Sequence, residues 1–360
     1  MAEPSARPSA GLAAGRLVLP APDDFHAHLR SGPAMPAYAR RHAASFGRAL
    51  AMPNVLPPVA SAAALEAYRA ELRAAAPGLE PLMAFKLLPG MDGETVRSLA
   101  AAGALAGKYY PAGATTNSAD GVAEPGQAEE ALSAMEELGL VLSIHGEEPS
   151  APLLSREAAF LPALELILSR HPRLKVVLEH LASREALAFV LSGPERLAGT
   201  VTAHHLLLTM DDLLGEGLDP HLYCKPLLKT RADREALKEA VLSGAGKLFF
   251  GSDSAPHPRA AKESRRAPAG IYASPSALPA LASLFEEAGA LAGLRGFVAG
   301  RGAAFYGLQA PGGSLELLKE DWTVPEEADG AVPLLAGKRL PWRLGRIEPE
   351  PAAATPRAGA

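Results

Sequence analysis

The stretch Gln127 to Glu147 reads QAEEALSAMEELGLVLSIHGE: an Ala/Leu/Glu-rich helical pattern over Gln127–Leu138, then a short apolar run, Leu140–His145, that stops on polar residues. The same unit recurs along the chain. Apolar runs lie near Leu17–Phe25, Arg48–Met52, Glu80–Phe85, Ala104–Tyr109, Leu140–His145, Leu174–His180, Leu197–Ala203 and Lys247–Ser252. Helical patterns between them cover Ser61–Ala76, Glu94–Ala102, Gln127–Leu138, Arg156–Arg170, Arg184–Leu191 and Asp233–Leu242. Strand–helix alternation means a parallel sheet with covering helices. About eight such units in one unbroken run predict an α/β fold of the closed (β/α)8, TIM-type barrel kind rather than an open sheet. No Pro/Ser/Gly-rich linker divides the run, so residues 16–346 are expected to form a single domain. Residues 1–15, mostly Ala, Pro, Ser and Gly, read as a disordered leader, and 347–360 as a loose tail.

Composition excludes several function classes. The chain has 360 residues, 40 acidic against 35 basic groups, and a net charge of -5. That excludes a broadly basic nucleic-acid binder and argues against binding to anionic membranes. No apolar run reaches the roughly 20 residues needed to span a bilayer, and the N-terminus lacks the apolar core of a secretory signal. A single cysteine, Cys224, excludes an internal disulfide framework and a Cys-rich zinc module, and fits a reducing cytoplasm.

The chemistry-bearing residues sit where the runs stop. His26 and His28 end the first; residues two apart on a strand face one side and can reach one ion together. His145 ends the fifth run, His180 the sixth, and Asp253 follows the eighth. In a barrel, strand C-termini converge on one face. Four imidazoles and a carboxylate gathered there suit zinc, or another borderline divalent ion such as Co or Mn. Lys108, near the end of the fourth run, has two readings: a lysine salt-bridged at the barrel rim, or one that has lost its proton and added CO2 to form an anionic carbamate between metals. The surrounding ligands favour the second. The polar loop Pro111–Gly126 is a binding lid or a surface connection. His42, His171 and His221 read as surface or capping groups, His205 as a structural residue near the site, and Cys224 as a packed small hydrophobe.

These residues resemble the amidohydrolase superfamily and, within it, the short monofunctional bacterial class (class II) of dihydroorotases. The matching stretches are Asp24–Arg30, Met52–Asn54, Lys108–Ser118, His145–Glu147, His221–Pro226 and Gly251–His257, spread from about Arg16 to Arg346. The resemblance implies two zinc ions per subunit. His26, His28 and Asp253 would hold the more buried one, His145 and His180 the other, and Lys108, as N6-carboxylysine, would bridge both. Arg30, Asn54 and His257 would hold the carboxylate of dihydroorotate, and the main chain at Lys225 and Ala269 its ring, with His28 and His145 also at the substrate. Thr115 and Thr116 would lie on a mobile loop that closes over it. The lysine at position 225 differs from the family's pattern, and Arg259–Pro268 departs most from it. The implied activity is a zinc-dependent interconversion of N-carbamoyl-L-aspartate and (S)-dihydroorotate in pyrimidine biosynthesis. A metal-bridging hydroxide would attack the ring amide carbonyl and Asp253 would shuttle the proton. The implied setting is a cytoplasmic homodimer acting on a small molecule, with no nucleic-acid or membrane partner. The rival readings are a hydantoinase or allantoinase, and a catalytically silent assembly partner.

Overall fold

The computed structural model describes residues 12–13, 15–310 and 312–348. Most of the expected leader and tail lies outside them. Fourteen strands are present among the described residues: β1 Leu12–Ala13, β2 Arg16–Pro20, β3 Asp23–Ala27, β4 Arg48–Ala51, β5 Glu80–Lys86, β6 Ala104–Tyr109, β7 Val141–Ile144, β8 Lys175–Leu178, β9 Leu197–Val201, β10 Leu248–Phe250, β11 Ser314–Leu318, β12 Trp322–Thr323, β13 Arg339–Leu340 and β14 Arg343–Glu348. Strands β3 to β10 pair in sequence order, all parallel, and helices follow them on the outside. The barrel is nearly closed where its first and last strands meet. There Ala27 and Ser254 form a parallel bridge, Asp253 N–H donates to the His26 carbonyl at 2.8 Å, and His28 N–H donates to the Ser254 carbonyl at 3.0 Å. The expected (β/α)8 barrel is therefore present.

One expected element is corrected. Leu17–Phe25, read as a single barrel strand, is two strands broken at Ala21-Pro22. Pro22 has no N–H and interrupts a continuous ladder. The two halves also differ in burial. In β2 Leu17 and Leu19 are buried while Arg16 and Val18 are exposed, whereas all of β3 is buried. An alternating pattern suits a sheet with one wet face, and a uniformly buried one suits a barrel interior. So β2 leaves the barrel for an antiparallel sheet of order β1-β2-β11-β14. That sheet takes in Leu12–Ala13 and residues 347–348, which were expected to belong to the loose ends.

Inside the barrel, Phe25, Leu50, Ala84, Ala106, Val141, Val177, Ala198 and Phe249 form one buried cluster. The helix Arg301–Tyr306 plugs its floor: Tyr306 stacks on Phe25 at 4.8 Å, and Phe25 meets Phe249 edge-on at 5.4 Å. Gly302 makes this approach possible, because a Cβ there would lie 2.4 Å from the Phe25 ring and 3.0 Å from Phe249. Gly302→Ala is expected to lower the unfolding free energy by about 1–3 kcal/mol through overpacking; denaturant melts of the two proteins measure it. With this helix packed against the floor, the strand-end residues open on the C-terminal mouth. No helix among the described residues is long and apolar enough to cross a membrane.

Candidate metal centre

The residues predicted from the ends of the runs converge at the mouth. His26, His28, Arg30, Asn54, Thr115, Thr116, His145, His180, Lys225, Asp253 and Ala269 line one pocket, with Tyr110, Ala255 and Gly270. His257 lines the adjoining entrance, which shares His28, Arg30, Asn54 and Thr116.

On the side of β3, His26 Nε2 and His28 Nε2 lie 3.5 and 3.2 Å from Asp253 Oδ1. The ligand atoms of the three residues all lie within 4.8 Å of one another. Each ring's other nitrogen is engaged: His26 Nδ1 with Glu179 Oε2 and His28 Nδ1 with Asn54 Oδ1, both at 2.9 Å. An Nδ1–H donated to an oxygen leaves the Nε2 lone pair free, as a metal-binding histidine requires. Burial pulls the His28 pKa down to about 4, against the hydrogen bond to Asp253. Burial also acts on Asp253 and favours its neutral form, but the His28 bond and the charges of His26, His28 and His204 outweigh it and hold the carboxyl well below its usual range.

The other half is a second pair of imidazoles. His145 Nδ1 and His180 Nε2 face each other at 3.1 Å, and His145 Nε2 pairs with Glu147 Oε2 at 2.8 Å. The His180 ring lies tilted against that of His26, 5.0 Å between centroids, so the two pairs form one patch. Beneath it lies Lys108, with no exposed surface and no hydrogen-bond partner for its Nζ. Burial lowers its pKa from 10.5 to about 8, although Glu179 and Asp253 act in the opposite sense. A buried, unpaired amine is costly. An anionic group formed on it and facing cations would remove that cost, so the donor set fits a two-metal centre.

Local backbone holds these groups in place. Arg30, His180 and Asp253 have φ of 67°, 41° and 44°. Such left-handed conformations cost about 1–3 kcal/mol each in non-glycine residues and cluster at functional sites. Glycine at 251 is also required, since a Cβ there would lie 2.9 Å from His26 Cβ.

Two carboxylates that organise the site escaped the sequence reading. Asp24 Oδ1 accepts from His26 N–H at 3.0 Å and Ser252 N–H at 2.7 Å, tying the first barrel strand to the last. Glu179, besides holding His26, accepts from Ser143 Oγ and Thr200 Oγ1. Both acids sit within two residues of a ligand histidine, the only signal available in the sequence. His42 and His171, read as surface or capping groups, are both buried: His171 is the C-cap of the helix Arg156–Arg170, and His42 Nδ1 lies 2.8 Å from Ser274 Oγ. His221 is partly buried against Glu263 at 3.1 Å. His204, His205 and Cys224 make a second group whose ligand atoms lie within 4.8 Å of one another. Both His205 nitrogens already have partners there, Thr202 Oγ1 and the Pro226 carbonyl.

At the substrate end, Arg30 Nε donates to the Pro256 carbonyl at 2.9 Å, and its Nη2 lies 2.8 Å from His257 Nε2. Burial lowers the Arg30 pKa to about 10, which leaves it cationic at neutral pH. His257 Nε2 is also 3.1 Å from the Ala269 carbonyl, joining two of the predicted substrate contacts. Asn54 Nδ2 donates to the Thr116 carbonyl at 3.1 Å.

The amidohydrolase family model matches residues 23–282. The chain is 48% identical over 339 residues to the dihydroorotase of Halorhodospira halophila, covering 91% of this chain and 98% of that one. It superposes on the crystal structure of dihydroorotase in complex with 5-fluoroorotic acid from Saccharomyces cerevisiae with a TM-score of 0.87 at 34% identity, covering 94% and 100% of the two chains. L-Hydantoinase from Arthrobacter aurescens shares the fold, with a TM-score of 0.79 at 17% identity over 93% and 86% of the two chains.

Proposed function

Because this chain belongs to the amidohydrolase family, and within it to the dihydroorotases, we propose that it interconverts N-carbamoyl-L-aspartate and (S)-dihydroorotate at a two-zinc centre bridged by carboxylated Lys108. The observation that carries the metal assignment is the pairing of both His26 and His28 through Nδ1, which turns both Nε2 atoms toward Asp253. His26, His28 and Asp253 would hold one zinc ion, His145 and His180 the other, and the Lys108 carbamate both. When bound, the zinc pair supplies Lewis-acid polarisation of the ring carbonyl and brings the pKa of water from about 15.7 toward 7.

The chain's own residues do the rest. Arg30, with its guanidinium fixed by the Pro256 carbonyl, presents its outer N–H groups to the substrate carboxylate in a planar fork. Asn54 and His257 complete that contact, and the backbone at Lys225 and Ala269 holds the ring. Asp253, kept ionised, takes a proton from the attacking water and delivers it to the amide nitrogen as the C–N bond breaks. Ring closure runs the same transfers backwards. Thr115 and Thr116 cover the pocket.

Dihydroorotate turnover by the purified protein, before and after zinc removal and return, tests this reading. The expected result is zinc-dependent ring opening at least about a hundredfold faster than with hydantoin or allantoin. No turnover with zinc restored would reject the substrate assignment.

Carbamate formation joins the neutral Lys108 amine to CO2 and releases one proton. With a pKa near 8, about a tenth of the amine is neutral at pH 7 and about nine tenths at pH 9. At constant dissolved CO2, the rate of reactivation of metal-free protein by zinc is therefore expected to rise about tenfold from pH 7 to pH 9 and then level off. A rate that is flat or falling over that range contradicts the assignment.

A further inference from the structure

The loop after β6 is tied to itself and to three outside side chains. Within it, Gly113 N–H donates to the Ser118 carbonyl at 2.8 Å, Thr115 N–H donates to Ser118 Oγ at 2.9 Å, and Ser118 Oγ donates to the Thr115 carbonyl at 2.7 Å. Thr115 and Thr116 are thus carried by a preformed turn rather than a slack chain. Two outside ties come from neighbouring strands: Asn54, after β4, to the Thr116 carbonyl, and Lys86, ending β5, to the Asn117 carbonyl at 2.8 Å. The third comes from the segment between β9 and β10. Lys225 Nζ donates to the Ala114 carbonyl at 2.8 Å, across 111 positions of sequence. Among the described residues, this is the side-chain hydrogen bond that reaches the loop from the far side of the mouth.

The anchor of that tie is rigid. Cys224 is fully buried, and its Sγ lies 3.1 Å from the Pro226 carbonyl. The buried Lys262 Nζ donates at once to the carbonyls of Tyr223, Pro268 and Gly270, at 2.8, 3.0 and 2.7 Å. The segment carrying Lys225 is thereby fixed to the one carrying Ala269. The Lys86–Asp120 ion pair and the Asn117 Nδ2 donation to the Asn54 carbonyl at 2.9 Å hold the loop on the β4–β5 side, so its opposite edge depends on the Lys225 bond. We infer that the Lys225 side chain is a latch that holds the 111–122 loop closed over the substrate pocket, so that this residue joins ring contact through its main chain to lid closure through its ammonium. The lid role rests on the dihydroorotase reading; the tie itself does not. The Lys225 side chain is a positioning group: it acts on the substrate through Thr115 and Thr116.

Lys225→Met keeps the aliphatic stem and removes the donor. Two readouts on the full-length protein decide the case. Amide hydrogen exchange over 111–122 without ligand is expected to quicken about tenfold, the low end for losing a hydrogen bond from a charged group at a half-buried position. The KM for dihydroorotate is expected to rise about tenfold with kcat changed less than about twofold, since closure then opposes binding more than chemistry. Lys225→Arg, which retains a charged donor, should recover most of both. Unchanged exchange in Lys225→Met, or an unchanged KM, overturns the latch. Absence of dihydroorotate turnover in the unaltered protein would remove the functional reading, while the exchange comparison would still decide whether the tie restrains the loop.

Discussion

Lys108→Ala is expected to strip most of the bound zinc and lower kcat at least about a thousandfold, with the barrel still folded. The side chain has no exposed surface and its Nζ no partner, so its removal breaks no hydrogen bond. The known penalty of leaving a buried polar group unmade is relieved rather than created. The cost is a void beside Tyr110, whose ring centroid lies 5.4 Å from Nζ; Lys108→Met, which fills that space, controls for it. Both variants should melt near the metal-free unaltered protein and hold little metal, as read by elemental analysis of the dialysed samples. Short carboxylates such as acetate, entering the void of the alanine variant, should restore part of the activity, and the methionine variant should not respond. Full activity in the alanine variant would end the bridging role.

Asp253→Asn should slow ring opening and ring closure alike by about a hundredfold to ten-thousandfold, the usual range for removing a general acid–base group. The amide keeps the shape and can still face His28, so part of the metal should stay. It cannot accept and return a proton. The contrast with Lys108→Ala is diagnostic: there metal and rate fall together, whereas here rate falls far more than metal. Near-normal turnover in either direction rejects Asp253 as the proton carrier.

Much of this was legible along the chain for a simple reason. Parallel strands covered on both sides read as short apolar runs, and their ends point at one face. Ala104–Tyr109 was read with the bounds it has, and His26, His145, His180 and Asp253 stood out because a polar residue closing an apolar run needs a reason to be there. What stayed hidden depends on contacts between distant segments. Asp24 and Glu179 look like ordinary polar neighbours of a histidine until β10 and β3 meet. His42 looks solvated until Ser274, 232 positions away, supplies its partner. The break at Pro22 was readable in principle, from the proline itself and the Asp23-Asp24 pair that follows it. The role of the Lys225 side chain had no local signature, since its acceptor is a carbonyl.

The seam between β3 and β10 also sets an order of events during translation. His26 and His28 leave the ribosome early, while Asp253 and the Ser252 amide that secures Asp24 come more than two hundred residues later. A nascent chain halted anywhere before that point carries two of the three groups of the first cation cluster and none of the closure that aligns them. On the two-metal reading, ion capture at that cluster would then be a late event, timed to the completion of the barrel.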